Sequence, residues 1–156
     1  MGDRVDLWVF VAGFHFQGTS ALALDAKGRL SVPARQRDVL RAIPEDRLTL
    51  TRHPDGCLMV FPRTVWDAFR ARLESLPLSA SGWKRLLLGS AMDVDLDSAS
   101  RVLISPELRA AAALGREVLL IGMGQHLELW DVQRHSAAEA ALLQQPVPAL
   151  LQDFSF

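Results

Sequence analysis

The sequence predicts an α+β fold in which two tandem copies of one unit share a single β core around a pseudo-twofold axis. Three observations carry that expectation. The stretch Leu24-Asp25-Ala26-Lys27-Gly28-Arg29-Leu30-Ser31-Val32-Pro33 returns as Leu96-Asp97-Ser98-Ala99-Ser100-Arg101-Val102-Leu103-Ile104-Ser105-Pro106. At the offset that brings Asp25 onto Asp97 (97 − 25 = 72), Arg29 meets Arg101 and Arg37 meets Arg109. Each copy also parses alike: an apolar stretch, an Asp that opens a tight turn, a residue suited to positive φ, an Arg, a short apolar strand and a helix start. An Asp carboxylate bonds backbone N–H groups two residues on, and Gly28 supplies the left-handed conformation that ends such a turn. A unit of about 70 residues is too long for a solenoid repeat and too short for a comfortable domain of its own.

Taken in order, Phe16 to Leu24 reads as a strand, reversed by the Asp25–Gly28 turn into a return strand, Arg29 to Val32. Pro33 marks the first turn of a helix to about Ala42, where its missing N–H is harmless. Val39, Leu40 and Ile43 face the core, Arg35, Arg37 and Arg41 face mostly outward, and Pro44 ends the helix. Leu48 and Leu50 alternate with Thr49 and Thr51 in a strand that His53-Pro54-Asp55-Gly56 turns into the apolar strand Cys57 to Phe61. Pro62 then starts a helix with Val65, Trp66, Phe69, Leu73 and Leu76 at helical spacing. A connecting helix from Ser81 to Leu88 places Trp83, Leu86 and Leu87 on one side.

The second half repeats the plan: strand Ala91–Leu96, turn at Asp97, strand Arg101–Ile104, helix Ser105–Ala113, hairpin Glu117–Trp130 and helix Asp131–Leu143. Pro146 and Pro148 break off an apolar tail with Leu150, Leu151, Phe154 and Phe156, expected to dock on this subunit or a neighbour. The implied organisation is an N-terminal extension, 1–15, outside the fold; a first repeat, 16–78; a connecting helix, 79–88; a second repeat, 89–143; and a tail, 144–156.

Composition bounds the class. With 156 residues, 49% apolar and 22% charged, the chain is globular rather than disordered. A net charge of −1 does not mark a nucleic-acid binder, but the distribution is uneven. Lys27, Arg29, Arg35, Arg37, Arg41, Arg47 and Arg52 crowd one stretch against Asp38, Glu45 and Asp46, whereas from Glu117 onward Arg134 stands alone among five acids. One face can be positive on a neutral molecule. The single Cys57 forms no intramolecular disulfide and no cysteine metal cluster, so a reducing compartment is expected. No apolar run reaches the ~20 residues of a membrane span, and the acidic Asp3 and Asp6 argue against a signal peptide in the apolar N-terminus.

The runs FQGTSALALDAKGRLSVPARQRDVL, LTLTRHPDGCLMVFP, WKRLLLGSAMDVDLDSASRVLISPELRAAA, VLLIGMGQHLELWD and DFSF together resemble the MraZ family of bacterial transcriptional regulators, related to the AbrB-like looped-hinge domains. The likeness spans 16–156, and its most specific elements are the two DxxGR-type turns and the block from Gly122 to Trp130. It implies an AbrB/SpoVT-like β-barrel core built from two hairpin-helix-hairpin-helix repeats. It further implies a cytoplasmic, nucleoid-associated regulator binding repeated, G-rich double-stranded promoter elements of the division and cell wall gene cluster as a ring-like homo-oligomer. That reading includes no membrane partner, no small-molecule substrate, no cofactor and no metal. An oligomeric protein-interaction scaffold is the alternative.

Within it, Arg29 and Arg101 are the first candidates for DNA contact. Each can pair with its own turn Asp, or Asp25 with Arg101 and Asp97 with Arg29 across the axis, and still present other donors to phosphate or to guanine. Lys27, at a turn tip, is a candidate phosphate contact; Arg35 and Arg37 are weaker ones; Asp25, Gly28 and Asp97 are the structural turn residues. The second copy has Ser100 at the glycine position, where positive φ costs on the order of 1 kcal/mol, and Ser98 and Ala99 in place of Lys27. The sequence therefore predicts a reshaped second turn and a smaller DNA role for Arg101. Enzyme chemistry finds little support: Cys57 lies in an apolar strand, where a thiol is inert, and Asp93, Asp95 and Asp97 read more readily as a strand's polar face than as metal ligands. Gly122-Met123-Gly124 lacks the third glycine and the helix of a dinucleotide site, and the four histidines, His15, His53, His126 and His135, show no ligand spacing.

Overall fold

A computed structural model describes residues 14–42 and 47–154. Its elements are β1 (Thr19–Ala23), β2 (Arg29–Ser31), α1 (Ala34–Ala42), β3 (Arg47–Arg52), β4 (Leu58–Pro62), α2 (Arg63–Glu74), a 3-10 turn at Leu78–Ala80, α3 (Ser81–Gly89), β5 (Met92–Asp95), β6 (Arg101–Leu103), α4 (Pro106–Ala111), β7 (Glu117–Gly122), β8 (Leu127–Asp131), α5 (Val132–Leu143) and α6 (Ala149–Gln152). The fold is mixed α+β with antiparallel pairing throughout, as the sequence predicts. Ile43 and Pro44, expected to end α1, and residues 1–13 of the expected extension lie outside the described residues. Phe14 packs edge-on against Phe16, ring centroids 5.9 Å apart.

Six strands pair in the order β1-β7-β8-β4-β3-β5, and β2 pairs with β6 as a separate two-stranded ribbon. Exchanging the strands of one repeat for those of the other (β1 for β5, β2 for β6, β3 for β7, β4 for β8) reproduces both orders. The axis therefore runs through the ribbon and through the β4–β8 pair. In the ribbon Leu30 stands opposite Val102, flanked by Arg29 opposite Leu103 and Ser31 opposite Arg101. Since 30 + 72 = 102, the central pair is the repeat's own equivalence.

The pairing corrects the expectation of a hairpin at each Asp turn. The turns do reverse the chain, but β1 forms its ladder with β7, and β5 with β3, while β2 and β6 find each other. Each Asp turn is thus a hinge between the large sheet and the ribbon, and each repeat completes its β structure with the other. Among the described residues, β3–β4 and β7–β8 are the true hairpins.

The sheet and ribbon enclose the main core, in which Leu30, Val32, Leu48, Leu50, Leu58, Val102, Ile104, Val118, Leu120 and Leu129 are buried together with Leu40 of α1 and Leu108 of α4. On the opposite face of the sheet, α2 packs Val65, Trp66 and Leu73 on Met59 and Phe61, with Leu87 of α3 beside them. Alternation along β4 sends Leu58 and Val60 to one core and Met59 and Phe61 to the other, which is why that strand reads as continuously apolar. On α3 Leu87 is buried, while Trp83, one turn before it, is 57% exposed. α4 starts with Pro106 in its first turn and the Ser105 side chain accepting the Leu108 N–H at 3.2 Å, a cap contributing about 1 kcal/mol. α5 buries no residue, and Leu142, Leu143, Val147, Leu150, Leu151 and Phe154 are exposed on it and the tail.

Candidate nucleic-acid interface

Both Asp turns have one geometry. Asp25 Oδ1 accepts the N–H groups of Lys27 and Arg29, each at 2.9 Å, and Oδ2 accepts Arg29 Nε at 2.6 Å. Asp97 Oδ1 accepts those of Ala99 and Arg101, each at 2.9 Å, and Oδ2 accepts Arg101 Nε at 3.0 Å. Of the two pairings open in the sequence, each Arg takes its own turn Asp. Gly28 has φ 83° and Ser100 φ 59°, so the second turn is not reshaped. The bonds around Asp97, including Ser100 N–H to the Asp97 carbonyl at 2.9 Å, hold the serine in the left-handed region despite its Cβ. The Arg29 N–H first, then its guanidinium and the Lys27 N–H, hold the Asp25 carboxyl at about 2, below its ordinary 3.8. Asp97 is lowered likewise, chiefly by the Arg101 N–H.

The ribbon turns these two local motifs into one surface. Leu30 and Val102, each 2% exposed, point into the core, so the alternate residues Arg29, Ser31, Arg101 and Leu103 share the outward face. Arg29 and Arg101 are diagonal neighbours there, close enough for long side chains to reach a common ligand. Because each guanidinium is clamped through Nε, its two terminal amino groups lie outside the Asp contact. The ribbon is anchored at both ends, Ile104 N–H to the Gly28 carbonyl at 2.9 Å and Val32 N–H to the Ser100 carbonyl at 3.0 Å.

The other candidates fall around this face unevenly. Lys27 is exposed at the first turn tip. Arg109, known in the sequence only as the repeat counterpart of Arg37 and not as a site candidate, lies directly on the first turn: a Cβ on Gly28 would come within 2.6 Å of its Cζ. Its Nε donates to the Ile104 carbonyl at 3.1 Å. Arg37 is half-buried rather than outward, with Nε buried and without a hydrogen-bond partner among the described residues. Arg35 is exposed, and its guanidinium packs over Gly18 on the β1 side, not over the ribbon.

Elsewhere, the Asp93, Asp95 and Asp97 carboxylates are taken up separately. Asp93 accepts Arg63 Nη1 at 2.7 Å and the Thr49 hydroxyl at 2.8 Å, and Asp95 faces Arg47 Nε at 3.5 Å. On the face of the sheet away from the ribbon, His53, Cys57 and Glu128 come together. No spacing predicts that grouping, because Glu128 belongs to the other repeat.

Comparison with known proteins agrees with this doubled architecture. A family model described as "MraZ protein, putative antitoxin-like" matches twice, over residues 15–86 and 87–151. The chain is 70% identical over 146 residues to a protein of Leptothrix cholodnii named Transcriptional regulator MraZ, covering 94% of this chain and 100% of that one. A protein of the same name from Methylibium petroleiphilum is 64% identical over 141 residues, covering 90% and 97%, and one from Burkholderia cenocepacia is 58% identical over 141 residues, covering 90% and 99%. With both repeats matched and relatives this similar along nearly their whole length, the chain belongs to the MraZ family.

Proposed function

We propose that this chain is a DNA-binding transcriptional regulator that lays the β2–β6 ribbon into the major groove, with Arg29 and Arg101 reading base edges and Lys27 contacting phosphate. The observation that carries the proposal is the twofold pair of arginines on the ribbon's outward face. A two-stranded ribbon fits the major groove, and a guanidinium already oriented by a carboxylate loses less freedom on forking to guanine O6 and N7 than a free side chain would. Exposed Leu103, opposite Arg29, offers an apolar contact to a thymine methyl where the other strand has Ser31. The relatives' name, transcriptional regulator, supports the same reading.

A subunit of net charge −1 with one small basic face binds DNA weakly alone. Assembly into a homo-oligomer larger than a dimer, ring-like and engaging repeated promoter elements of the division and cell wall gene cluster, raises avidity by orders of magnitude without new contacts. The exposed apolar residues of α5 and the tail are the surface we assign to that assembly. The protein would then work in the cytoplasm on the nucleoid. Fluorescence anisotropy with the gene's own upstream region and a scrambled duplex, at two salt concentrations, tests the reading. Preference for the native duplex at both salts supports it; equal, weak binding of both duplexes leaves the scaffold reading standing instead.

A further inference from the structure

We propose that His53, Cys57 and Glu128 form a divalent transition-metal site, best suited to zinc, that ties the two repeats together on the face of the sheet opposite the ribbon. The β3–β4 turn brings the first two together: His53 N–H donates to the Cys57 carbonyl at 2.9 Å and Gly56 N–H to the His53 carbonyl at 3.0 Å, so the two side chains lie across the end of one hairpin. Glu128 comes from β8, opposite Met59 in the β4–β8 ladder. His Nε2 or Nδ1, Cys Sγ and a Glu oxygen all lie within 4.8 Å of one another. Nitrogen, sulfur and oxygen ligands at ~2.0–2.3 Å from a tetrahedral zinc sit roughly 3.3–3.8 Å apart, and His53 Nε2 is already 3.5 Å from Glu128 Oε2.

The surroundings are those of a ligand set. Trp130 Nε1 donates to Glu128 Oε1 at 2.9 Å, fixing the carboxylate with Oε2 toward His53, as outer hydrogen bonds orient ligands in metal sites. Asp55 Oδ2 lies 3.8 Å from His53 Nδ1. When Nε2 binds a metal, Nδ1 carries the proton and exchanges the Asp55 N–H it now accepts at 2.9 Å for that carboxylate. Among the described residues no Lys or Arg is within ion-pair distance of Glu128, and the Arg134 guanidinium packs over Gly56 beside Cys57. Burial, with the charges of Glu128 and Asp55, pushes the Cys57 thiol up. A divalent cation reverses that balance: the sulfur–metal bond forms as the thiol proton leaves to water, and thiolate plus carboxylate neutralise the ion. Three protein ligands leave a fourth position for water.

Cobalt(II) titration of the full chain is the test. Binding of one equivalent with a sulfur-to-cobalt charge-transfer band, displaced by zinc, is expected. Cys57→Ser should abolish the band, and both Cys57→Ser and Glu128→Gln should weaken zinc binding at least about tenfold while circular dichroism stays unchanged. If Cys57→Ser fails to fold, Glu128→Gln and the release of about one proton per zinc by the wild type decide the matter. No charge-transfer band in the wild type, or zinc affinity indifferent to Glu128→Gln, overturns the proposal. Neither outcome bears on DNA binding, because the ribbon lies on the other side of the core.

Discussion

At the scale of single residues, the Asp–Arg turn does two things with one carboxylate. Oδ1 closes the backbone loop and Oδ2 aims the guanidinium, so Asp25 links the hinge's shape to the placement of Arg29. Its depressed pKa gives pH dependence a definite sign. The folded form holds the carboxyl at about 2 against 3.8 ordinarily, so ionised Asp25 contributes stability above pH 3.8, and that contribution is lost as pH falls through 2. Asp25→Asn should therefore lower the thermal midpoint at neutral pH, and the gap from wild type should close between about pH 4 and pH 2. Lys27 acts differently. On the proposed function its exposed ammonium at the turn tip meets phosphate as a point charge, so Lys27→Ala should weaken binding to all duplexes alike and reduce the slope of log K against log salt by about 1. The turns themselves are legible in the sequence because they are local. Which Asp each Arg takes stays open there between its own turn and the other, and the structure gives each its own. The trio of His53, Cys57 and Glu128 is not legible, since 71 residues separate Cys57 from Glu128 (128 − 57) and only the β4–β8 ladder joins them.

At the scale of elements, the ribbon depends on the pair at its centre. Leu30 and Val102 stand opposite each other on the axis, buried, and every outward residue of the ribbon is placed by their packing. Leu30→Ala removes buried volume and leaves a cavity costing roughly 2–5 kcal/mol. The expected outcome is a lower denaturation midpoint in urea and weakened DNA binding, although no outward atom has changed. Strand existence and turn position are readable from alternation and from the Asp-to-Gly signal. Strand partners are not, because alternation says which face a residue occupies and nothing about which neighbour shares the ladder. That is why the sequence predicts two hairpins where the chain exchanges strands between repeats. Ser100 departs from expectation for a related reason: local propensity disfavours it at positive φ, but the strand pairing on either side holds the turn in place.

At the scale of the whole molecule, the doubled sequence gives a twofold surface from one chain. The palindromic strand order makes the two turns equivalent in space even though Lys27 has no counterpart. On the proposed assembly the exposed apolar residues of α5 and the tail meet a neighbouring subunit, so light scattering at micromolar concentration should find an assembly larger than a dimer, and removal of residues 144–156 should shrink it. A monomeric full-length chain would contradict the avidity argument. The central claim is that both arginines of the ribbon read DNA, and the most direct measurement is the affinity of Arg29→Ala and Arg101→Ala for the upstream duplex beside their melting curves. Removing one base-edge hydrogen-bonding pair costs ~1–3 kcal/mol, so both variants should bind roughly five- to 150-fold more weakly per site, to similar extents, with thermal midpoints near the wild type. Unchanged affinity in either variant, or unfolding in place of weakened binding, would contradict it.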